Sequence, residues 1–115
     1  MNKPATFSIA LAAVGIASGI AYASTTGALG LAEIAVIRDA YSQYEGKIDM
    51  RESSGAVTYY YWGGDRCAGM TGPTNRKVDM MLAARLAGHQ MQLDYNDHVS
   101  TYGTSHCWDG GIILW

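Results

Sequence analysis

The chain has 115 residues, 49% of them hydrophobic and 16% charged, with a net charge of −2 at pH 7. That length holds one small domain and leaves no room for a second of ordinary size. The slight acidic excess argues against a nucleic-acid partner, because such binding rests on neutralising phosphates with surplus Lys and Arg.

The chain begins with the three parts of a secretory signal peptide: Lys3, the apolar and alanine-rich stretch Ala5 to Ile20, and small residues at Ala21 and Ala23 ahead of Ser24. A transmembrane anchor is the competing reading, but about 16 apolar residues fall short of the roughly 20 that span a bilayer. Cleavage after Ala23 leaves residues 24–115 as a single domain, secreted or periplasmic and free of the membrane. The short leader is in the style of bacterial export. Without Lys3, seven Lys and Arg face ten Asp and Glu, a net charge of −3.

Leu31 to Tyr44 reads two ways. Leu31, Ile34, Ala35 and Tyr41 trace an approximate helical stripe, whereas Ile34 to Ile37 is a continuous apolar run of the kind a strand buried on both faces carries. Lys47 to Arg51 alternates strictly, with Ile48 and Met50 on one side and Lys47, Asp49 and Arg51 on the other, which predicts a half-buried strand. Glu52-Ser53-Ser54-Gly55 is turn chemistry, so Val57 to Trp62 is the returning strand of a hairpin. Thr74 or Asn75 caps a helix that carries Val78, Met81, Leu82 and Leu86 on its apolar stripe and ends at Gly88. Met91, Leu93 and Tyr95 alternate as a further strand, Asn96-Asp97 turns the chain, and Gly110-Gly111 releases a short last strand from Ile112 to Trp115.

With Leu31 to Asp39 taken as a strand, the order is three strands, a helix and two strands. That is the order of the OB-fold, a five-stranded, partly open barrel with its helix between strands 3 and 4. Cys67 and Cys107 are the only cysteines. In an exported chain they are expected to pair, closing a loop whose restriction of the unfolded chain is worth about 4 kcal/mol. The adjacency of His106 and Cys107 raises a thiol nucleophile instead, but sequence neighbours rarely have the geometry of a working Cys/His pair.

The run from Gly46 to Trp115 resembles the small secreted OB-fold proteins related to the B subunits of subtilase-type and pertussis-like bacterial toxins. The likeness lies in Cys67 after the third strand, in the helix-to-strand passage MLAARLAGHQMQLDY (Met81 to Tyr95), and in Cys107 before a short last strand. It implies a pentameric ring that binds cell-surface glycans and serves a toxin A subunit. No sugar-contacting residue of that family maps onto a position here.

The search for catalytic patterns points away from an enzyme. There is no G-x-S-x-G elbow, and Gly69 to Lys77 lacks the ending of a phosphate loop. His89, His98 and His106 have no metal-ligand spacing, so neither a metal nor a cofactor is expected. Asp97-His98 with Asp109 offers acid–base chemistry only if geometry brings the groups together.

Eight tyrosines and three tryptophans stand against one phenylalanine, and such residues carry polar tips that want a partner or water. In VTYYYW, alternation puts Tyr59 and Tyr61 on one face and Tyr60 and Trp62 on the other. The expectation is that Tyr59 and Tyr61 pack inside while Tyr60 and Trp62 face outward to a ligand or a neighbouring subunit. Two functions follow: an oligomeric glycan-binding module like a toxin B subunit, or a monomeric exported accessory or inhibitor protein that meets another protein through its aromatic face.

Overall fold

The computed structural model of the protein describes residues 24–38 and 42–115. The expected signal peptide lies outside the described residues. Among these residues seven elements follow in chain order: β1 (Thr25–Thr26), β2 (Leu31–Ile37), β3 (Gly46–Arg51), β4 (Val57–Trp62), α1 (Asn75–Leu86), β5 (Met91–Ser100) and β6 (Gly103–Leu114). The strands form one six-stranded sheet in the order β1-β5-β6-β4-β3-β2, in which only β4 and β6 run parallel. The sheet does not close as a continuous ladder. Ahead of β2, however, Gly30 N–H donates to Met91 O at 3.1 Å and Met91 N–H donates to Gly30 O at 2.8 Å, which brings the two ends of the sheet together.

Five strands were expected, and β1 is the sixth. It is two residues long, held by Thr26 Oγ1 donating to Asp94 Oδ1 at 2.8 Å and followed by Gly27 N–H donating to Leu93 O at 2.9 Å. Leu31–Ile37 is strand, which decides between the two readings of that segment. It is not buried on both faces: Ala32 alone is buried, while Leu31, Ile34 and Ile37 are exposed. Among the described residues β2 has a ladder partner only in β3, and Arg85 of α1 donates to Glu33 O from Nε at 3.2 Å and from Nη2 at 2.8 Å.

The β3–β4 hairpin overturns the expected parity of the aromatic block. Tyr60 and Trp62 are 1% and 7% exposed and belong to the core, whereas Tyr59 is 47% exposed. The reason is one residue of turn length. A turn of Glu52 to Gly55 would pair Arg51 with Ala56, and Ile48 with Tyr59. Ala56 instead belongs to the turn, with Glu52 N–H donating to Ala56 O at 2.9 Å, so Arg51 pairs with Val57 and Ile48 with Tyr60. Residues directly opposite each other share a face, and a one-residue shift therefore moves every side chain to the other side. The buried face of β3, Ile48 and Met50, brings Tyr60 inside with it.

Trp62 lies opposite Gly46, and a β-carbon there would meet its ring at 2.0 Å. A glycine at that place is what lets the indole lie flat on β3. Trp62 and Trp108 then meet edge to face with centroids 5.4 Å apart, and Trp108 Nε1 donates to Gly111 O at 2.9 Å. Met81 and Ala84 of α1 close the core from below, joined by Met50, Met91 and Leu93. Fully burying a side chain of this size contributes about 1.5–3 kcal/mol.

The helix starts as expected at Thr74, whose hydroxyl accepts from Lys77 N–H. Its buried stripe is Met81 and Ala84, flanked by Val78 and Leu82; Leu86, expected inside, is 82% exposed. Asn96 and Asp97, expected to turn the chain, lie inside β5 opposite Cys107 and His106, and the turn falls at Thr101-Tyr102. The last strand accordingly begins at Gly103, and Gly110 with φ of 103° sits in a bulge between Trp108 and Ile112. Among the described residues, no helix is long and apolar enough to cross a membrane.

Candidate functional site

The parallel ladder between β4 and β6 consists of Tyr60 with His106 and Tyr61 with Cys107. Just beyond it, Cys67 and Cys107 form a disulfide with Cα atoms 5.8 Å apart, as expected for an exported chain. Toward the start of both strands the partners diverge, and a shallow cleft of about 290 Å³ opens between them. Val57, Thr58, Tyr59 and Tyr61 line it from β4, Thr104, Ser105 and His106 line it from β6, and Arg66 reaches in from the segment after β4.

Arg66 organises one side. Its guanidinium lies 4.6 Å from the ring centre of Tyr61 and 5.1 Å from that of Tyr102. Nη1 donates to Ser105 Oγ at 3.3 Å and Nη2 to Gln43 Oε1 at 3.1 Å, while Nε is buried without a hydrogen-bond partner. Among the described residues no carboxylate pairs with this cation. Tyr44 packs against Tyr61 at 5.4 Å, so Tyr61 is held between two neighbours and only half exposed.

Tyr59 is the open ring. Across the hairpin it faces Asp49, and the ammonium of Lys47 lies 4.6 Å from its centre. Burial pulls the Lys47 pKa down, but the hydrogen bond and charge of Asp49 (Nζ to Oδ1, 3.2 Å), helped by Tyr61 and Tyr44, outweigh it and leave the pKa raised. Lys47 therefore stays charged across the working pH range and can carry a hydrogen bond at the rim of the ring.

His106, opposite Tyr60 in the parallel ladder, lies on the core side of the sheet, away from Tyr59 and Tyr61. Its Nδ1 meets Asp97 Oδ1 at 2.5 Å, and its ring packs on Tyr95 at 4.4 Å and Tyr60 at 6.1 Å. Of the expected acid–base set, Asp97 pairs with His106 rather than with its neighbour His98, whose Nδ1 donates to Arg66 O at 2.9 Å. Asp109 is engaged elsewhere, accepting from Ser24 Oγ and from Gly111 N–H. His89 Nδ1 donates to Trp115 O at 3.1 Å. Each histidine has a partner, and among the described residues no group of His, Cys, Asp and Glu could hold a metal ion.

The two residues expected to bind a ligand, Tyr60 and Trp62, are thus not at the surface, and their alternates Tyr59 and Tyr61 border the cleft. Arg66, Tyr102 and the Asp97–His106 pair were not singled out by the sequence. A signal for the pair existed: His98-Val99-Ser100 continues the alternation of β5, and Thr101-Tyr102-Gly103 supplies the turn that sets Asp97 opposite His106.

No protein-family model matches the chain, and neither a curated protein nor a solved structure matches it.

Proposed function

We propose that the protein is an exported, non-catalytic module of OB type that binds a glycan at the cleft between β4 and β6. The exposed Tyr59 ring at the cleft, with Tyr61 and the Arg66 guanidinium on the same face of the sheet, carries this reading. Flat aromatic faces stack on the apolar face of a sugar ring, while hydroxyl and charged groups around them take up its hydroxyls. The OB assignment is supported by strand order β2-β3-β4-β6-β5, by the parallel β4–β6 pair, by a helix between β4 and β5, and by the Gly30–Met91 hydrogen bonds. Export is supported by the signal-like leader and the disulfide.

Assembly into a ring of about five subunits, serving a toxin A subunit, belongs to the same proposal. The second edge of β2, which has no strand partner along Leu31–Ile37 among the described residues, and the exposed Leu31, Ile34 and Ile37 support it, since such an edge is a place for another chain to pack. A glycan array run on wild type and Tyr59→Ala tests the binding. Glycans retained by wild type and lost by at least about tenfold in the variant support the site, as expected for an aromatic anchor. Equal binding by both removes the site, and a monomeric mass in sedimentation removes the ring.

A further inference from the structure

Thr25, Tyr95 and Trp108 lie in register across β1, β5 and β6, so their neighbours Ser24, Thr26, Asp94 and Asp109 stand on the opposite face of the sheet. On that face two carboxylates meet the start of β1. Ser24 Oγ donates to Asp109 Oδ2, and Thr26 Oγ1 donates to Asp94 Oδ1 at 2.8 Å. Asp109 Oδ1 accepts from Gly111 N–H at 2.9 Å, and Asp94 lies over the same glycine, where a β-carbon would run into its Oδ2. Among the described residues neither carboxylate is in a salt bridge. We propose that signal cleavage after Ala23 creates the cation for this place: the α-ammonium of Ser24 pairs with Asp109 and pins β1 to the sheet in the mature protein. The proposal rests on residues 1–23 being a cleaved leader and is independent of the glycan site.

Hydrolysis of the Ala23–Ser24 peptide bond by a signal peptidase adds water across it. Ala23 keeps a carboxylate, and Ser24 gains an amine that carries a proton at neutral pH. In the uncleaved chain the same nitrogen is a neutral amide. Within a serine, N and Oγ are about 3–4 Å apart in any rotamer. An Oγ bonded to Asp109 therefore puts the nitrogen within about 7 Å of the carboxylate, and a free chain end can turn it inward. The anchored strand has a short ladder of its own but an important neighbour. It leads into the buried Gly27, whose N–H donates to Leu93 O at 2.9 Å and whose O accepts from Gln92 Nε2 at 3.1 Å. A β-carbon on Gly27 would strike the Tyr60 hydroxyl, so this segment covers that end of the core. The titratable groups around the amine are Asp109 from β6, Asp94 and Tyr95 from β5, and Lys77 of α1, whose Cγ comes beside Gly110. Two carboxylates against one ammonium hold the amine charged, above its ordinary pKa of about 7.7–8.0. The stability this pair contributes is full below that range and is lost as pH rises through the raised value.

The test expresses the full chain in a bacterium and collects the exported protein. N-terminal sequencing and intact mass are expected to give Ser24 as the first residue. A retained leader or another first residue overturns the proposal together with the cleavage it rests on. Carbon-13 methylation of the amines then lets NMR titrate the α-amine apart from the lysines. Its pKa in the folded protein is expected about 0.5 above that in concentrated urea, which is about threefold in the protonation constant and suits an exposed pair. Asp109→Asn keeps an oxygen for Gly111 N–H and is expected to bring the value back to that in urea. The same variant is expected to speed amide exchange at Gly27 about threefold at neutral pH while Met91, bonded to Gly30 O, is unchanged. Added sodium chloride should shrink the wild-type difference without any substitution. Equal values in the folded and unfolded wild type overturn the pairing and leave the cleavage standing. A difference untouched by salt, or one that persists in Asp109→Asn, overturns Asp109 as the partner.

Discussion

Truncating Tyr60 and Tyr59 in turn separates the two faces of β4 by their stability. Tyr60 is 1% exposed, edge-on to Tyr95 at 5.7 Å and opposite Ile48 across the hairpin. Emptying such a site costs the transfer of the ring and the cavity left behind, about 3–5 kcal/mol for a buried aromatic side chain. Tyr59 is 47% exposed. Its loss gives up about half that burial and an exposed cation–π contact with Lys47 worth about 0.5–1 kcal/mol, while water fills the gap, so the expected cost is about 1 kcal/mol. The two variants should differ by about 2–4 kcal/mol, a large share of a stability of about 5–15 kcal/mol. Urea unfolding followed by tryptophan fluorescence, with the disulfide intact, measures both, and at an m-value of about 1–3 kcal/mol/M the midpoints should part by about 1 M or more. Equal midpoints, or a greater loss for Tyr59→Ala, would refute the parity seen here.

Three further outcomes are expected. Met81→Ala should cost about 2–5 kcal/mol and Leu86→Ala less than about 0.5 kcal/mol, read by the same unfolding assay, because only the first side chain is inside. Replacing both Cys67 and Cys107 by Ala should cost about 4 kcal/mol, and non-reducing digestion of wild type should give one linked peptide containing both. Burial, with Tyr95 and Glu52 adding, pushes the Tyr60 pKa up to about 12 from 10.0. The unfolded chain then loses this proton first, so the contribution is intact below about pH 10 and is lost as pH rises toward 12; ultraviolet titration should show one late tyrosine, absent in Tyr60→Phe.

Much of the fold was legible because local chemistry and the global arrangement agree. Alternation in Lys47 to Arg51, turn residues after it, and Thr74 ahead of the helix each name their element without help from elsewhere. β2 was ambiguous because its helix-forming residues compete with its place beside β3, and the pairing decides it. The aromatic block was misread for a different reason. VTYYYW is equally aromatic on both faces, so its own pattern holds no inside; the answer lies in whether Ala56 counts as turn or strand. Arg66 stayed hidden because its partners, Gln43, Tyr61, and Tyr102 with Ser105, come from three separate stretches of chain.

The narrow junction of β4 with β6 also bears on how the protein reaches and leaves its folded state. Each of the β3–β4 and β5–β6 hairpins is local in sequence, while the junction joins residues forty or more positions apart through two ladder positions and one covalent bond. Local contacts form early and distant ones late, because closing a long loop costs entropy before any contact repays it. The hairpins are thus the early units, and their seam is the last part to knit and the first to loosen once the sulfur link is cut. The cleft sits in that seam. A ligand of the kind proposed would touch both hairpins at once and act as a reversible second crosslink, with slower amide exchange along Tyr60 to Trp62 and His106 to Trp108 as its expected footprint.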